Sequence, residues 1–189
     1  MKMLREVGIT ILIAIAIFVL LRVTVQGYTV RYSSMLPTIH EGEWVMVNKA
    51  SYFFSDPRRG DVLVFNPPVS SEYPFIKRVI GLPNDIVEIR DGKVFVNSVP
   101  LQEKYIKDQP GYNMPPKEIP ENEYFVLGDN RNNSNDSHNG WTVPRKSIIG
   151  KAWFVYWPLN RWGIVKHYDP GLGASGKGVT VYIPAGGIA

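Results

Sequence analysis

The chain has 189 residues, of which 20% are charged and 44% hydrophobic, and this composition is typical of a globular protein rather than a disordered one. Its net charge of +4 is spread along the chain, so the sequence does not predict a nucleic-acid-binding patch. The absence of cysteine excludes disulfides, thiolate catalysis and cysteine-ligated metal sites. The length allows one compact domain and a short additional segment.

The first element along the chain is an uncharged apolar segment over residues 7–21, which further apolar residues extend beyond Arg22. A membrane-spanning helix needs about 17–25 residues, and this segment reaches that length when the Arg22 guanidinium extends to the interface. It is apolar on all sides, unlike a core-packed helix, and no small-x-small cleavage site follows it. We therefore predict an uncleaved transmembrane anchor over residues 7–26, after a short N-terminus of residues 1–6. Basic residues flank both ends, so charge alone does not decide the orientation.

Short strand-like segments separated by glycine and proline follow from residue 27 onward. Asp91-Gly92 lies between two alternating apolar runs and predicts a β-hairpin with a type I′ turn. No later window has the period of a long helix. The pattern predicts an all-β, mostly antiparallel domain over residues 27–167. Its clearest strands are expected at residues 44–47, 61–65, 86–90, 93–97, 124–127 and 152–156.

Two segments show little regular pattern. Residues 110–120 contain several prolines and have neither a helical nor a strand period, so a loop is predicted there. Residues 168–189 form a glycine-rich C-terminal tail, in which only residues 179–183 have the pattern of a strand.

Six aromatic side chains have two interpretations. They can form a surface at the membrane interface, or they can belong to the β core. We favour the core for most of them: Trp44, Phe53, Phe54, Trp153, Trp157 and Trp162.

Ser34 is a candidate nucleophile, because it lies in a tight polar turn between the apolar segment and the first strand. A serine hydroxyl needs a base. The three histidines are candidates, and so is Lys77, whose apolar neighbours would destabilise its charged form. From spacing alone, a lysine on an edge strand with its ammonium in water is the more common case, so both interpretations stay open. The histidines lack the spacing of metal ligands, so no metal or other cofactor is expected.

Four segments resemble, in the same order, the sequence blocks of type I signal peptidases. They are Ser34-Met35-Leu36-Pro37-Thr38, Arg59 to Phe65, Lys77 to Asp85 and Gly128 to Ser137. One such match is common by chance, whereas four in order are specific. The resemblance implies a cytoplasmic N-terminus, a single anchor in the plasma membrane and an extracytoplasmic catalytic β domain. It also implies a membrane-bound serine endopeptidase that removes signal peptides from exported preproteins, with signal peptides and the lipid bilayer as partners and no metal or nucleic acid.

The resemblance also implies roles for individual residues. Ser34 corresponds to the nucleophile, Lys77 to the general base, and Ser134 to a serine that hydrogen-bonds the lysine. The backbone N–H of Ser34 corresponds to one oxyanion donor. Two acidic residues correspond to residues that maintain the architecture of the site, and we expect them to pair with an arginine. The acidic residues and the candidate arginines are Asp129, Asp136, Arg131 and Arg78.

Two positions depart from the family pattern. Tyr32 stands where the family usually has glycine or serine, and a serine there adds a second oxyanion donor. The tyrosine hydroxyl lies at the far end of its ring, so Tyr32 does not match that role. His138 stands where an arginine is usual, two residues after Asp136. The ion pair expected there becomes pH-dependent, because histidine side chains titrate near pH 6.5.

Three other hypotheses remain open from the sequence. One is a Ser–His hydrolase in which Asp136 and His138 serve Ser34. Another is a non-enzymatic, membrane-tethered β module that binds peptides, which needs neither Ser34 nor Lys77. The third is a self-cleaving Ser–Lys protease of the repressor type, although that class lacks an N-terminal anchor and carries a DNA-binding region that is not seen here.

Overall fold

The structure is a computed structural model that describes residues 2–168. Within these residues, one α-helix is followed by twelve strands. The predicted glycine-rich tail after residue 168, with its strand at residues 179–183, lies outside the described residues. In chain order they are α1 (Lys2–Thr24), β1 (Val25–Thr29), β2 (Trp44–Asn48), β3 (Val62–Phe65), β4 (Phe75–Gly81), β5 (Ile86–Arg90), β6 (Lys93–Val96), β7 (Val99–Pro100), β8 (Met114–Glu118), β9 (Glu123–Leu127), β10 (Val143–Pro144), β11 (Ile148–Trp157) and β12 (Gly163–Ile164). The strand pairs are antiparallel. This architecture confirms the predicted fold class.

Helix α1 has 23 residues and is about 34 Å long at 1.5 Å per residue, which exceeds the hydrocarbon thickness of a typical bilayer. Its segment Arg5–Thr24 has a mean hydropathy of 2.6, is not buried against the domain, and by length and composition can cross a membrane. The helix ends two residues before the predicted end of the anchor at residue 26. The reason is that Val25 and Gln26 already pair with Asn48 and Val47 of β2.

The larger sheet contains eight strands in the order β1-β2-β11-β3-β4-β9-β10, with β12 paired to β11. Strand β4 therefore lies inside the sheet, between β3 and β9. The residues of β3, and the second half of β4, are buried on both faces. Strand β1 is at the edge of this sheet, so one side of its backbone is available to a further strand.

The smaller sheet has the order β7-β6-β5-β8. Its hairpin β5–β6 turns at Asp91 and Gly92, whose φ angles of 52° and 70° agree with the predicted type I′ turn. The prediction that residues 110–120 form a loop throughout is wrong, because β8 pairs with β5 there. Pro115 and Pro116 fit this strand because it is at the sheet edge, where a missing backbone donor is tolerated.

Three clusters of buried apolar side chains form the core. One lies under the Ser34 turn and includes Met35 and Ile39, one lies between β4, β9 and the smaller sheet, and one lies around Leu63 and Val126. The prediction that most of the six aromatic residues belong to this core is wrong. Inward positions of β2 and β11 are filled by small aliphatic side chains, and all six aromatic residues are exposed: Trp44, Phe53, Phe54, Trp153, Trp157 and Trp162.

Candidate active site

Ser34 lies in a 3-10 helix over Ser33–Met35, in the connection between β1 and β2. Met35 is fully buried and fixes this turn to the core, while Ser34 retains 7% exposure. The backbone N–H of Asn130 donates to the Ser34 carbonyl over 3.0 Å, and the Asn130 side chain donates to the Ser33 carbonyl over 3.1 Å. The turn that carries the candidate nucleophile is thus held by the buried Met35 side chain and by two hydrogen bonds from Asn130.

Lys77 is in β4 and reaches the Ser34 turn from the interior of the sheet. In its protonated form, Nζ donates to Ser34 Oγ over 2.7 Å and to the Ile76 carbonyl over 3.0 Å. The residue is only 4% exposed, and its amine lies 5.1 Å from the centre of the Phe75 ring. The alternative of an edge-strand lysine in water is therefore wrong, because strands flank β4 on both sides.

Burial lowers the pKa of Lys77 from 10.5 to about 8, since the low-dielectric interior destabilises the ammonium. The negative charges of Asp136 and Asp129 act in the opposite direction and raise this pKa. The amine therefore becomes neutral within a range of pH in which proteins function. When it is neutral, the Ser34 hydroxyl can donate its proton to the Nζ lone pair over the same short distance.

The four segments singled out in the sequence meet at one buried ion pair. Arg78 donates through Nε and Nη2 to both oxygens of Asp129, over 2.8 and 2.7 Å, and neither side chain is exposed. Arg78 Nη1 also donates to the Gly60 carbonyl over 2.8 Å, and the Thr38 hydroxyl donates to Asp129. Of the two candidate arginines, Arg78 is thus the partner of Asp129. The pair lies directly behind the Ser34–Lys77 contact and connects it to the rest of the domain.

Asp136 does not pair with an arginine, and that expectation is wrong. It is fully buried, accepts from the Gly128 N–H over 2.9 Å, and lies 2.7 Å from Nδ1 of His138. The His138 ring is stacked on Tyr112, with ring centres 4.2 Å apart. The contact expected between Asp136 and residue 138 is therefore present, with histidine as the partner.

Arg131 instead forms a two-bond ion pair with Glu103, over 2.7 and 2.6 Å. Its guanidinium is buried, and its Nε also donates to the Gly128 carbonyl over 3.1 Å. Sequence reasoning missed Glu103, because it lies 28 residues away in a loop and belongs to no motif. Arg131 therefore supports the loop after β9 without touching either acidic site residue.

Ser134 is packed against Gly128, where an added Cβ would lie 2.4 Å from Ser134 Oγ and 2.5 Å from the Ser34 carbonyl oxygen. Its hydroxyl is buried and has no hydrogen-bond partner within residues 2–168. The implied hydrogen bond from Ser134 to Lys77 is thus not formed in this structure, and that role stays a prediction. Gly128 is required here because no side chain fits between the nucleophile turn and Ser134.

The backbone N–H of Ser34 is near the start of a 3-10 helix, where N–H groups have no partner within the helix. It can therefore donate to an oxyanion, as expected from the sequence. Tyr32 precedes this turn, and its side chain is exposed and makes no capping hydrogen bond. Its contribution of a second oxyanion donor stays untested.

A groove of about 1090 Å³ opens over Ser34 and Lys77. Its walls are the edge strand β1, residues 70–77 and residues 132–139. His138 lines this groove, but among the described residues the Ser34 hydroxyl has Lys77, and not His138, as its hydrogen-bond partner. The arrangement favours lysine over histidine as the base.

The sequence is also similar to those of known proteins. The sequence model of the family described as "Signal peptidase, peptidase S26" matches residues 4–157. Signal peptidase I of Leptolyngbya laminosa is 41% identical over 170 residues, covering 86% of this chain and 82% of that protein. Probable signal peptidase I-1 of Synechocystis is 43% identical over 161 residues, covering 81% of this chain and 82% of that protein.

A solved structure is also similar, the crystal structure of a signal peptidase I from Enterococcus faecalis, with 32% identity and a TM-score of 0.45. The match covers 51% of this chain and 97% of the chain in that crystal structure. The sequence matches define the class of protein as a serine endopeptidase. The chain belongs to the signal peptidase family, peptidase S26, and this membership contradicts the alternative of a non-enzymatic peptide-binding module.

Proposed function

We propose that this protein removes signal peptides from exported preproteins, with Ser34 as the nucleophile and Lys77 as the general base. The observation that carries the proposal is the buried Lys77 amine at 2.7 Å from the Ser34 hydroxyl. A serine becomes nucleophilic only when a nearby base accepts its proton. An amine with a pKa of about 8 provides that base, whereas an exposed lysine would remain protonated.

In the first half of the reaction, neutral Lys77 takes the Ser34 proton as Oγ attacks the scissile carbonyl carbon. The carbonyl oxygen becomes an oxyanion and accepts from the Ser34 backbone N–H. When the intermediate collapses, the C–N bond breaks and the Lys77 ammonium gives its proton to the departing amine. The signal peptide is then bound to Ser34 as an ester, and the amine is the new N-terminus of the mature protein.

In the second half, neutral Lys77 takes a proton from water as the water oxygen attacks the ester carbon. The bond to Ser34 Oγ then breaks, and Lys77 returns its proton to the serine. Each proton taken is given back, so the cycle needs no other acid or base. The buried Asp136 and Asp129 partly offset the cost of holding the ammonium between these two transfers.

The groove supports a substrate in extended form. Edge strand β1 forms one wall, so a peptide can pair with its free backbone groups and direct alternate side chains toward the domain. Ser34 follows β1 after a four-residue connection, so a peptide paired with β1 leads directly to the nucleophile.

We further propose that α1 anchors the protein in the plasma membrane with the catalytic domain on the extracytoplasmic side. The exposed aromatic residues of β2, β11 and the following turn support this location. Trp44 packs against Trp157 with ring centres 6.2 Å apart, and Trp162 packs against Phe154 at 5.7 Å. Exposed tryptophan side chains are typical of a surface that contacts the membrane interface. We call this surface, formed by Trp44, Trp153, Trp157 and Trp162, the aromatic surface.

The test is the pH dependence of precursor cleavage by the full chain in detergent. The value of kcat/KM should rise with pH to a plateau, with its midpoint near the Lys77 pKa of about 8. Ser34→Ala should be inactive, because it removes the nucleophilic hydroxyl. Lys77→Arg should also be inactive, because a guanidinium does not release its proton in this pH range. Lys93→Arg, at an exposed position of β6, is the matched control and should behave as the wild type.

His138→Gln separates this proposal from a Ser–His mechanism. Glutamine can still donate to Asp136 but cannot act as a base, so the rise in activity near pH 8 should persist. Loss of activity by this variant at every pH would identify His138 as the base and contradict the role of Lys77.

A further inference from the structure

A second cavity, separate from the groove over Ser34, has a basic lining. Its volume is about 320 Å³. Lys104, Arg161 and Lys166 line it, and none of the described residues in its lining is acidic. Neither the Ser34–Lys77 chemistry nor the peptide groove uses this cavity, so its concentration of positive charge requires another explanation.

The back of the cavity is formed by stacked aromatic rings. The Tyr105 and Tyr168 rings are stacked with centres 5.4 Å apart, and the Arg78 guanidinium lies 4.3 Å from the Tyr105 ring on the buried side. The backbone of β12 and the turn that contains Thr38 complete the wall. The cavity is therefore built on the same buried framework that supports the active site, rather than on a mobile loop.

The charges at the cavity are only partly compensated. Arg161 donates through Nε to the buried carboxylate of Glu43 over 2.6 Å, which fixes the direction of its guanidinium. The two terminal nitrogens of Arg161 make no hydrogen bond within residues 2–168. Lys104 and Lys166 are exposed, and neither forms an ion pair with another described residue. An oriented arginine fork and two exposed ammonium groups that line the same cavity are well suited to a phosphate group.

The cavity borders the aromatic surface. Ile164 lines the cavity and is 70% exposed, and it pairs with Phe154 of β11. Trp162 follows Arg161 directly and is also exposed. Cations next to exposed aromatic and aliphatic side chains are the pattern of a surface that contacts phosphates and acyl chains at the same time.

We propose that this cavity binds the phosphate of an anionic phospholipid headgroup while the adjacent aromatic surface contacts the acyl region. The inference rests on the proposed membrane location of the domain. A zwitterionic headgroup carries its own ammonium, which the two lysines would repel, so the site should prefer a phosphate that lacks this compensation. Bound lipid would hold the domain against the membrane at a second point besides α1.

The experiment titrates the detergent-solubilised full chain with dihexanoyl phosphatidylglycerol, dihexanoyl phosphatidylcholine and inorganic phosphate, and follows binding by native mass spectrometry. We expect saturable binding of the phosphatidylglycerol and much weaker binding of the other two. Each basic residue near an anionic lipid contributes about fivefold to affinity. Lys104→Glu/Lys166→Glu should therefore weaken phosphatidylglycerol binding at least tenfold by that estimate.

The matched control is Lys93→Glu/Lys146→Glu, which changes the net charge equally at two exposed positions outside both cavities. It should bind phosphatidylglycerol within about twofold of the wild type, because neither lysine lines the cavity and exposed charges outside it are screened by salt. Equal weakening by both double variants overturns the site, and so does equal binding of phosphatidylcholine. Tighter binding of inorganic phosphate than of phosphatidylglycerol overturns the lipid as its occupant.

Cleavage of a short soluble precursor peptide in detergent distinguishes this inference from the proposed function. Lys104→Glu/Lys166→Glu should cleave the peptide as fast as the wild type, since neither side chain lines the groove over Ser34. Its thermal unfolding temperature should also match the wild type, because both lysines are exposed. Lost lipid binding with normal cleavage supports the site, whereas normal lipid binding by this variant contradicts it whatever the cleavage rate.

Discussion

Replacing Lys77 with methionine should stabilise the protein near neutral pH while abolishing its activity. The folded protein holds the Lys77 ammonium in a site that is only 4% exposed, and burial lowers its pKa from 10.5 to about 8. The folded state is therefore less stable when this side chain is charged than when it is neutral. Methionine has a similar length and no charge, so it removes that cost and remains compatible with the apolar surroundings.

The magnitude follows from the difference between the two pKa values. Below pH 8 both the folded and the unfolded protein bind the proton, and the full cost of about 3 kcal/mol is present. Between pH 8 and 10.5 the unfolded protein binds more protons, so the stability of the wild type rises with pH and the cost disappears. Methionine also loses the two hydrogen bonds of Nζ, which are worth about 1 kcal/mol each. The expected net gain near pH 7 is about 1 kcal/mol.

The assay is urea unfolding of the detergent-solubilised full chain at pH 7 and at pH 10.5, followed by tryptophan fluorescence. Lys77→Met should be the more stable protein at pH 7 and the less stable one at pH 10.5, since only the wild type gains stability over this interval. Lys93→Met, on the exposed side of β6, should show no such crossover. A difference between wild type and Lys77→Met that stays constant with pH would refute the argument that Lys77 is held as a destabilised ammonium.

Two further predictions concern the support of the site. Gly128→Ala should reduce kcat for precursor cleavage at least tenfold, because the new Cβ would lie 2.5 Å from the Ser34 carbonyl oxygen and must displace the nucleophile turn. Gly163→Ala is the control and should remain active, since no atom lies within 4 Å of its added Cβ. Arg78→Ala should lower the free energy of unfolding by about 3–5 kcal/mol, because it leaves the buried Asp129 carboxylate without its partner. A loss below about 1 kcal/mol in urea unfolding would mean that Asp129 is solvated or protonated.

Local sequence patterns were sufficient for strands β2, β3, β5, β6, β9 and β11 and for the hairpin at Asp91-Gly92, whereas the other strands were not predicted. A type I′ turn needs positive φ at both central positions, and aspartate followed by glycine is a preferred pair for such positions. The convergence of the four resembling segments could also be expected: Thr38 and Arg78 bond to Asp129, and the Gly60 carbonyl accepts from Arg78. These features depend on short-range chemistry or on a resemblance that spans the domain.

Pairing between distant charged residues could not be predicted in the same way. Arg131 pairs with Glu103 across 28 positions of loop, and no periodicity connects the two. The burial of Lys77 depends on the strand order β3-β4-β9, which no local window specifies. The exposure of Trp153 could not be predicted either, because β11 carries apolar side chains on both faces. Bulges near Phe154 also shift the alternation of buried and exposed side chains along this strand.

Helix α1 passes into β1 without a linker, since it ends at Thr24 and the strand begins at Val25. The backbone N–H of Lys49 donates to the Thr24 carbonyl over 2.7 Å, which ties the end of the helix to the domain. In the proposed orientation, Ser34 therefore lies ten residues after Thr24, the membrane end of α1, and at most about 36 Å of chain from it. The distance from the membrane would then select the cleaved bond. A preprotein whose own apolar segment stops in the same bilayer would be cut at a position fixed by distance, and side chains would only adjust the choice among neighbouring bonds.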